Sequence, residues 1–442
     1  MKGLKIAVSA IAVTMMFGGS ARGAETVSLG VDEAVAMAQE NNLSLKAARS
    51  RVEQADGRYL QTRKAYLPTV SVSETVMHTN DPAAVFTWKL RQGVIGAGDM
   101  EFATMNDPDA VTNFQAGISV QQPVFNKDAW KGRSVARAAR ESMEHQYERA
   151  GQSIGLEVKK AYYGLVLARL NLNALETSIA TMQRHNHEAS KAYEKGLVTR
   201  SDMLATGVRL AELEEQKLVL LDQEQTMTDA LAFFLRLEGD IVIETKDGLD
   251  RTGSVTAVLA DGAPVDTRSD IMALKAAKDA AEFQYEMADA KSLPRVNAFA
   301  ETTWNDDGFP GIDGHNWTLG LSLNWNLFDG YANAGRKAEA RAAEMESGYL
   351  YEEARERSRF EVRRAARNLA TAASRIDVAS EALEEARVSL DFISDRYRAG
   401  QAMMFELLGR EGAYTQAMMR LNQARFDYIL ASSELVYYAN PN

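Results

Sequence analysis

The sequence predicts an internally duplicated chain that alternates long antiparallel coiled-coil helices with strand pairs suited to a membrane β-barrel. Three observations carry this reading. The same series of local motifs occurs twice in the same order. Apolar heptads persist far beyond ordinary helix length. Short segments alternate apolar and polar residues with period two.

Composition sets the bounds. The chain has 442 residues, 46% hydrophobic and 25% charged, with a net charge of −11. An acidic chain does not suit nucleic-acid backbones, so no nucleic-acid partner is expected. There is no cysteine, which removes disulfides, thiol nucleophiles and thiolate metal sites. Lys2 and Lys5 precede an apolar run at residues 6–17, and small residues follow up to Ala24. This reads as a secretory signal peptide over 1–24, cleaved near Gly23 or Ala24. No later stretch has the apolar length of a membrane helix. A membrane-embedded mature chain must therefore use strands.

The repeat fixes the order of the remaining elements. Leu45-Lys46-Ala47 leading to Leu67-Pro68-Thr69-Val70 matches Ile271-Met272-Ala273 leading to Leu293-Pro294-Arg295-Val296. Pro123-Val124-Phe125-Asn126 then Gly132-Arg133 matches Asn326-Leu327-Phe328-Asp329 then Gly335-Arg336. Glu157-Val158-Lys159-Lys160-Ala161 matches Glu361-Val362-Arg363-Arg364-Ala365, and Tyr193-Glu194-Lys195-Gly196 matches Tyr397-Arg398-Ala399-Gly400. The expected segments are first-repeat helices at 25–68, a β-hairpin with a long loop at 69–125, and a long helical hairpin at 126–239. A linker and the opening helix of the second repeat follow at 240–294, then a second β-hairpin at 295–328 and a second helical hairpin at 329–442. The first half carries about 23 extra residues between its two strands. They fall within residues 78–113, rich in Gly, Asp and Asn, and are expected to form a long loop.

In the strands, Phe114, Ala116, Ile118 and Val120 interleave with Gln115, Gly117, Ser119 and Gln121. Trp317, Leu319, Leu321, Leu323 and Trp325 interleave with Thr318, Gly320, Ser322 and Asn324. Val70 with Val72, and Val296 with Ala298 and Ala300, are their partners. One apolar face and one small, polar face suit lipid outside and water inside. Trp304, Trp317 and Trp325 stand where interface belts place aromatics against membrane lipid. Four strands cannot close a barrel, and lipid tolerates no open edge. Three copies would supply twelve.

The helices show heptads. Val362, Leu369, Ile376, Leu383, Leu390 and Tyr397 lie seven apart, as do Ala365, Ala372, Ala379, Ala386 and Ile393. The run at 334–398 would span roughly 95 Å at about 1.5 Å per residue. Val158, Leu165, Leu172 and Ile179 mark the matching helix of the first half. Gly196 and Gly400 fit helix C-caps with a left-handed backbone. Asp202 and Glu406 follow near the start of the next helix, where the dipole favours a carboxylate. His185 and His187 do not share a helix face, so metal binding is not expected. Met403, Met404, Met418 and Met419 read as core filling. No catalytic constellation and no cofactor motif is present in the sequence.

These residues, taken together and in order, resemble the TolC-type outer-membrane efflux proteins. The resemblance implies a homotrimer, a twelve-strand barrel on a twelve-helix periplasmic tunnel, and docking to a periplasmic adaptor and an inner-membrane pump. It implies a passive exit duct and no enzyme. By the same resemblance the docking tips are Gly196, Leu197, Gly400 and Gln401, and the pore constriction is Glu406, with Asp202 beside it. The family's second acid three residues after Glu406 is missing, because Gly409 stands there. The basic residue after the second-tip glycine is also missing, replaced by Gln401 and Ala402. A non-conducting coiled-coil spacer anchored in the outer membrane is the rival reading.

Overall fold

A computed structural model describes residues 25–239, 241–250 and 265–439. The expected signal peptide lies outside the described residues. In chain order the elements are β1 (Glu25–Leu29), α1 (Val31–Asn41), α2 (Leu43–Gln61), β2 (Thr69–Thr79), α3 (Pro82–Gln92), α4 (Phe102–Asn106), β3 (Val111–Phe125), α5 (Lys127–Glu194) and α6 (Arg200–Leu235). Then come β4 (Ile241–Thr245), α7 (Ser269–Ala290), β5 (Arg295–Asp306), β6 (Gly314–Asn324), α8 (Ala332–Arg398) and α9 (Met404–Ala439). With 68 and 67 residues, α5 and α8 each run about 100 Å. No helix among the described residues is long and apolar enough to cross a membrane.

The chain divides into two compact units, one drawn from Met1–Asn41, Glu157–Asp250 and Asp377–Phe426, the other from Asn42–Leu156, Arg251–Ile376 and Asp427–Asn442.

In the first unit the α5 heptads become a buried seam. Val158, Leu165, Leu172, Leu175, Ile179 and Met182 are all buried. Each such leucine contributes about 2 kcal/mol of transfer free energy. Leu213 of α6 joins Leu175, Ile179 and Met182 in one cluster. Sequence reasoning did not foresee β1 and β4, which pair in parallel across the unit, Glu25 opposite Ile241 and Leu29 opposite Thr245. The Tyr162 hydroxyl donates to the Leu29 carbonyl (2.8 Å) and accepts from the Asp247 amide (3.2 Å). Burial pushes its pKa up to about 12. Asp247 Oδ2 accepts from the Val31 amide at 2.7 Å and so fixes the start of α1. Arg169 ties β4 to the helices, donating to the Ile243 carbonyl and to Glu224 at 2.7 Å each.

In the second unit β2, β3, β5 and β6 form one antiparallel sheet in that order. Repeat-related Leu45 and Ile271 are both buried, in α2 and α7. Asn42 caps α2, its Oδ1 accepting from Ser44 N (2.9 Å) and Leu45 N (3.3 Å). The register irregularity at Pro123–Phe125 falls near the end of β3, where a residue without an N–H is tolerated. One expectation needs correction. Residues 78–113 are not a loop without structure: they hold α3, a 3-10 turn at Ala97–Met100, and α4. Asp81 Oδ1 accepts from Ala84 N (2.8 Å), Pro82 opens α3, and Gly93 ends it at φ 74°. Asp and Gly, read as loop formers, here act with Pro82 as helix punctuation.

Candidate functional site: a two-faced sheet and two helix turns

Register sorts every sheet residue to one of two faces. Val70, Val120, Ala300 and Leu319 stand in one row across the four strands, and Val72, Ile118, Thr302 and Trp317 in the next. Side chains opposite one another leave the sheet on the same side. The other side carries rows such as Ser71, Ser119, Glu301 and Thr318. On the apolar face Trp317 is 71% exposed, Leu319 70% and Leu321 74%. A contiguous exposed apolar surface of this kind marks a face that contacts lipid or another protein surface. Eleven-residue strands such as β2 and β6, tilted about 40°, rise roughly 28 Å, close to the apolar band of a bilayer.

The polar face is tied by small side chains. The Ser71 and Ser119 hydroxyls lie 2.7 Å apart. The Phe299 ring covers Gly320, where a Cβ would fall 2.6 Å from its Cζ. Trp304 stands on the apolar face opposite His315, and Trp325 donates through Nε1 to the Ser292 carbonyl at 3.0 Å. Among the described residues the outer edges of β2 and β6 have no strand partner.

The two turns lie in the first unit. At the first, Gly196 N donates to Tyr193 O and Leu197 N to Ala192 O, both at 2.9 Å. Gly196 has φ 70° and Gly400 φ 73°. Leu197 is 74% exposed at the surface of its turn. The second turn has a further tie, because Arg396 Nη2 donates to the Gln401 carbonyl at 2.9 Å. The repeat-equivalent residue of the first turn is Ala192, which has no such donor.

Thr199 and Asp202 form a reciprocal cap on α6. Thr199 Oγ1 accepts from the Asp202 amide and Asp202 Oδ2 accepts from the Thr199 amide, both at 3.2 Å. Glu406 lies in the first turn of α9 and is half-buried. Its carboxylate makes no hydrogen bond or ion pair among the described residues. A shared core positions both turns: Ala189, Met404 and Leu407 are buried, with Leu390, Ile393 and Tyr397 packed against them. Burial pushes the Tyr397 hydroxyl pKa up, and the charges of Glu188 and Asp202 add to that. Met404 is core, as the sequence suggests, but Met403 is 66% exposed. His185 stands between Glu411 (3.6 Å) and Glu188 (3.7 Å), a pairing that does not involve His187. A groove of about 1040 Å³ runs between α6 and α9, lined by Val208, Arg209, Leu408 and Gly412 among others.

A four-stranded sheet with one lipid-suited face, joined in one chain to paired helices of this length, defines the channel-forming class of outer-membrane proteins. The chain belongs to the outer membrane efflux protein family, whose profile matches residues 34–235 and 265–440. It is similar to the alkaline protease secretion protein AprF of Pseudomonas aeruginosa, 23% identical over 74% of this chain and 69% of the relative. It is also similar to the outer membrane protein TolC of Vibrio cholerae, 20% identical over 72% of this chain and 75% of the relative. Among solved structures, the outer-membrane channel OprN aligns with a TM-score of 0.79 at 17% identity, over 93% of this chain and 90% of that one. VceC of Vibrio cholerae aligns at 0.77 and 17% identity, over 93% and 96%. The chain is thus an outer-membrane exit duct reaching into the periplasm, and not an enzyme.

Proposed function

We propose that three copies of this chain close a twelve-strand barrel and a twelve-helix tunnel, forming the passive exit of a tripartite efflux or type I secretion system. The observation that carries this reading is the sheet with two unpaired edges and an exposed apolar face. Such edges are not stable in lipid until neighbouring copies pair with them. Unshared apolar surface on the long helices supports the same assembly. Leu218 and Phe233 of α6, and Val378 and Phe392 of α8, are all more than 60% exposed.

In this reading the turns at Gly196, Leu197, Gly400 and Gln401 dock a periplasmic adaptor, which couples the duct to an inner-membrane pump. Trp304, Trp317 and Trp325 sit against outer-membrane lipid. Glu406, half-buried and without a partner among the described residues, supplies one carboxylate per copy to the constriction and favours cations. Asp202 contributes there mainly by holding the start of α6.

Single-channel conductance in a planar bilayer tests the proposal, with wild type beside Glu406→Ala. Discrete steps with a cation preference that weakens in the variant support both duct and constriction. Steps unchanged by the substitution move the constriction elsewhere. If no steps occur even after the two turns are shortened, the non-conducting spacer is the correct reading.

A further inference from the structure

The polar face of the sheet carries an element that an open duct does not need. Between β2 and β3 the chain builds α3, the 3-10 turn and α4 as one packed piece. Val85 and Trp88 of α3 are buried. Lys89 Nζ meets Asp99 Oδ1 at 2.7 Å, and Asp99 Oδ2 accepts from Gly96 N at 2.8 Å. The side chain of Gln92, at the end of α3, donates to Asn113 Oδ1 (2.8 Å) and to the Thr112 carbonyl (3.2 Å). Asn113 Nδ2 in turn donates to Asn305 Oδ1 at 3.1 Å.

Register says which face this chain of amides occupies. Asn113 shares its side of β3 with Gln115, Gly117 and Ser119, and Asn305 stands opposite Gln115 and Gly314. All belong to the polar face. Asn113 and Asn305 are fully buried there. A Cβ at Gly314 would overlap the Arg91 carbonyl oxygen, so α3 lies directly against the backbone of β6. A loop standing free in water would leave these amides solvated. Their burial, with each hydrogen bond contributing about 1 kcal/mol, marks a specific docked position.

We propose that α3 and α4 form an inward-folded cap that narrows the outer mouth and limits the size of what passes. The proposal rests on the duct reading, in which the polar face lines water. Twelve strands spaced about 4.8 Å and tilted about 40° close a ring of roughly 24 Å backbone diameter. A helix with its side chains is about 10 Å across, so three caps cover about half of that ring before its own inward side chains are counted. The β5–β6 connection has no such helix.

The absence of cysteine makes a direct test available. A Ser71→Cys variant places the one thiol on the polar face, below the cap. Intact cells are treated with a small sulfonated maleimide or with a maleimide carrying a long polyethylene-glycol chain. With the cap in place the small reagent labels and the long one is about ten-fold slower. Adding Gly314→Val, or replacing residues 82–106 with a short Gly-Ser linker, should bring the long reagent close to the rate of the small one. Equal rates with the cap intact, or a long-reagent rate that neither change moves, would overturn the cap. Failure of the small reagent to label any variant would overturn the duct reading itself, because the polar face would then not line water.

Discussion

Arg268 and Glu361, separated by 93 residues, meet at 2.8 Å with the arginine side chain only 5% exposed. The same guanidinium donates through Nε and Nη2 to Asp270, at 2.7 and 2.6 Å. Arg149 stacks 3.5 Å from the Tyr437 ring and donates to its carbonyl, so the start of α7, α5, α8 and the end of α9 share one charged knot. Removing the arginine strips Glu361 and Asp270 of their hydrogen-bonded partner and leaves only Arg149, 3.7 Å from Asp270, to offset the two acids. Arg268→Ala should lower stability by about 3 kcal/mol, read by thermal unfolding.

The knot also sets a pH response. Burial pushes the Asp270 carboxyl up, but the Arg268 hydrogen bond and the Arg149 and Arg268 charges outweigh it and hold its pKa below the usual value. A depressed pKa stabilises the fold fully above the unfolded value, about 3.9, and loses that contribution as pH falls through the folded one. Melting temperature should therefore drop below about pH 4, and Asp270→Asn should flatten that part of the profile.

Gly196→Ala and Gly400→Ala should each cost about 1 kcal/mol, because alanine is strained at these positive φ values. Arg236, which ends α6 at φ 58°, predicts the opposite sign. Arg236→Gly relieves that strain and should raise the melting temperature.

Asp202→Ala should cost about 1 kcal/mol through loss of the reciprocal cap. Asp202→Asn keeps the acceptor and should recover most of that loss. Hydrogen exchange in the first turn of α6 reads both effects.

Leu321 and Ser322 adjoin in β6 and leave the sheet on opposite faces. Leu321→Arg should cost about 3 kcal/mol in the membrane and sharply reduce the amount of protein assembled there. Ser322→Arg should be tolerated. Quantifying the chain in outer-membrane fractions separates the two; equal loss would mean the faces are assigned wrongly.

The long helices and the hairpins were legible because their patterns are long and local. The seam of Val158, Leu165 and Leu172 repeats every seven residues, and Leu319-Gly320-Leu321-Ser322-Leu323 alternates without a break. The glycine turns were legible because a left-handed backbone favours one residue type. The parallel pairing of β1 with β4 was not, since two five-residue strands 216 residues apart leave no periodic trace. The Arg268 knot was missed for the same reason: its members come from distant helices. The α3 segment does carry a local signal, Asp81-Pro82 at its start and Gly93 at its end.

The central seam of the sheet joins β3 to β5, and its Asn113–Asn305 bond spans 192 residues. In the order of synthesis, the first hairpin is present long before its partner emerges. A lone two-stranded ribbon is marginal in water, and both of its edges invite wrong pairing. Such non-local pairing is also slow to form. Biogenesis is therefore the vulnerable stage, and its success depends on shielding those strand edges until the second hairpin arrives.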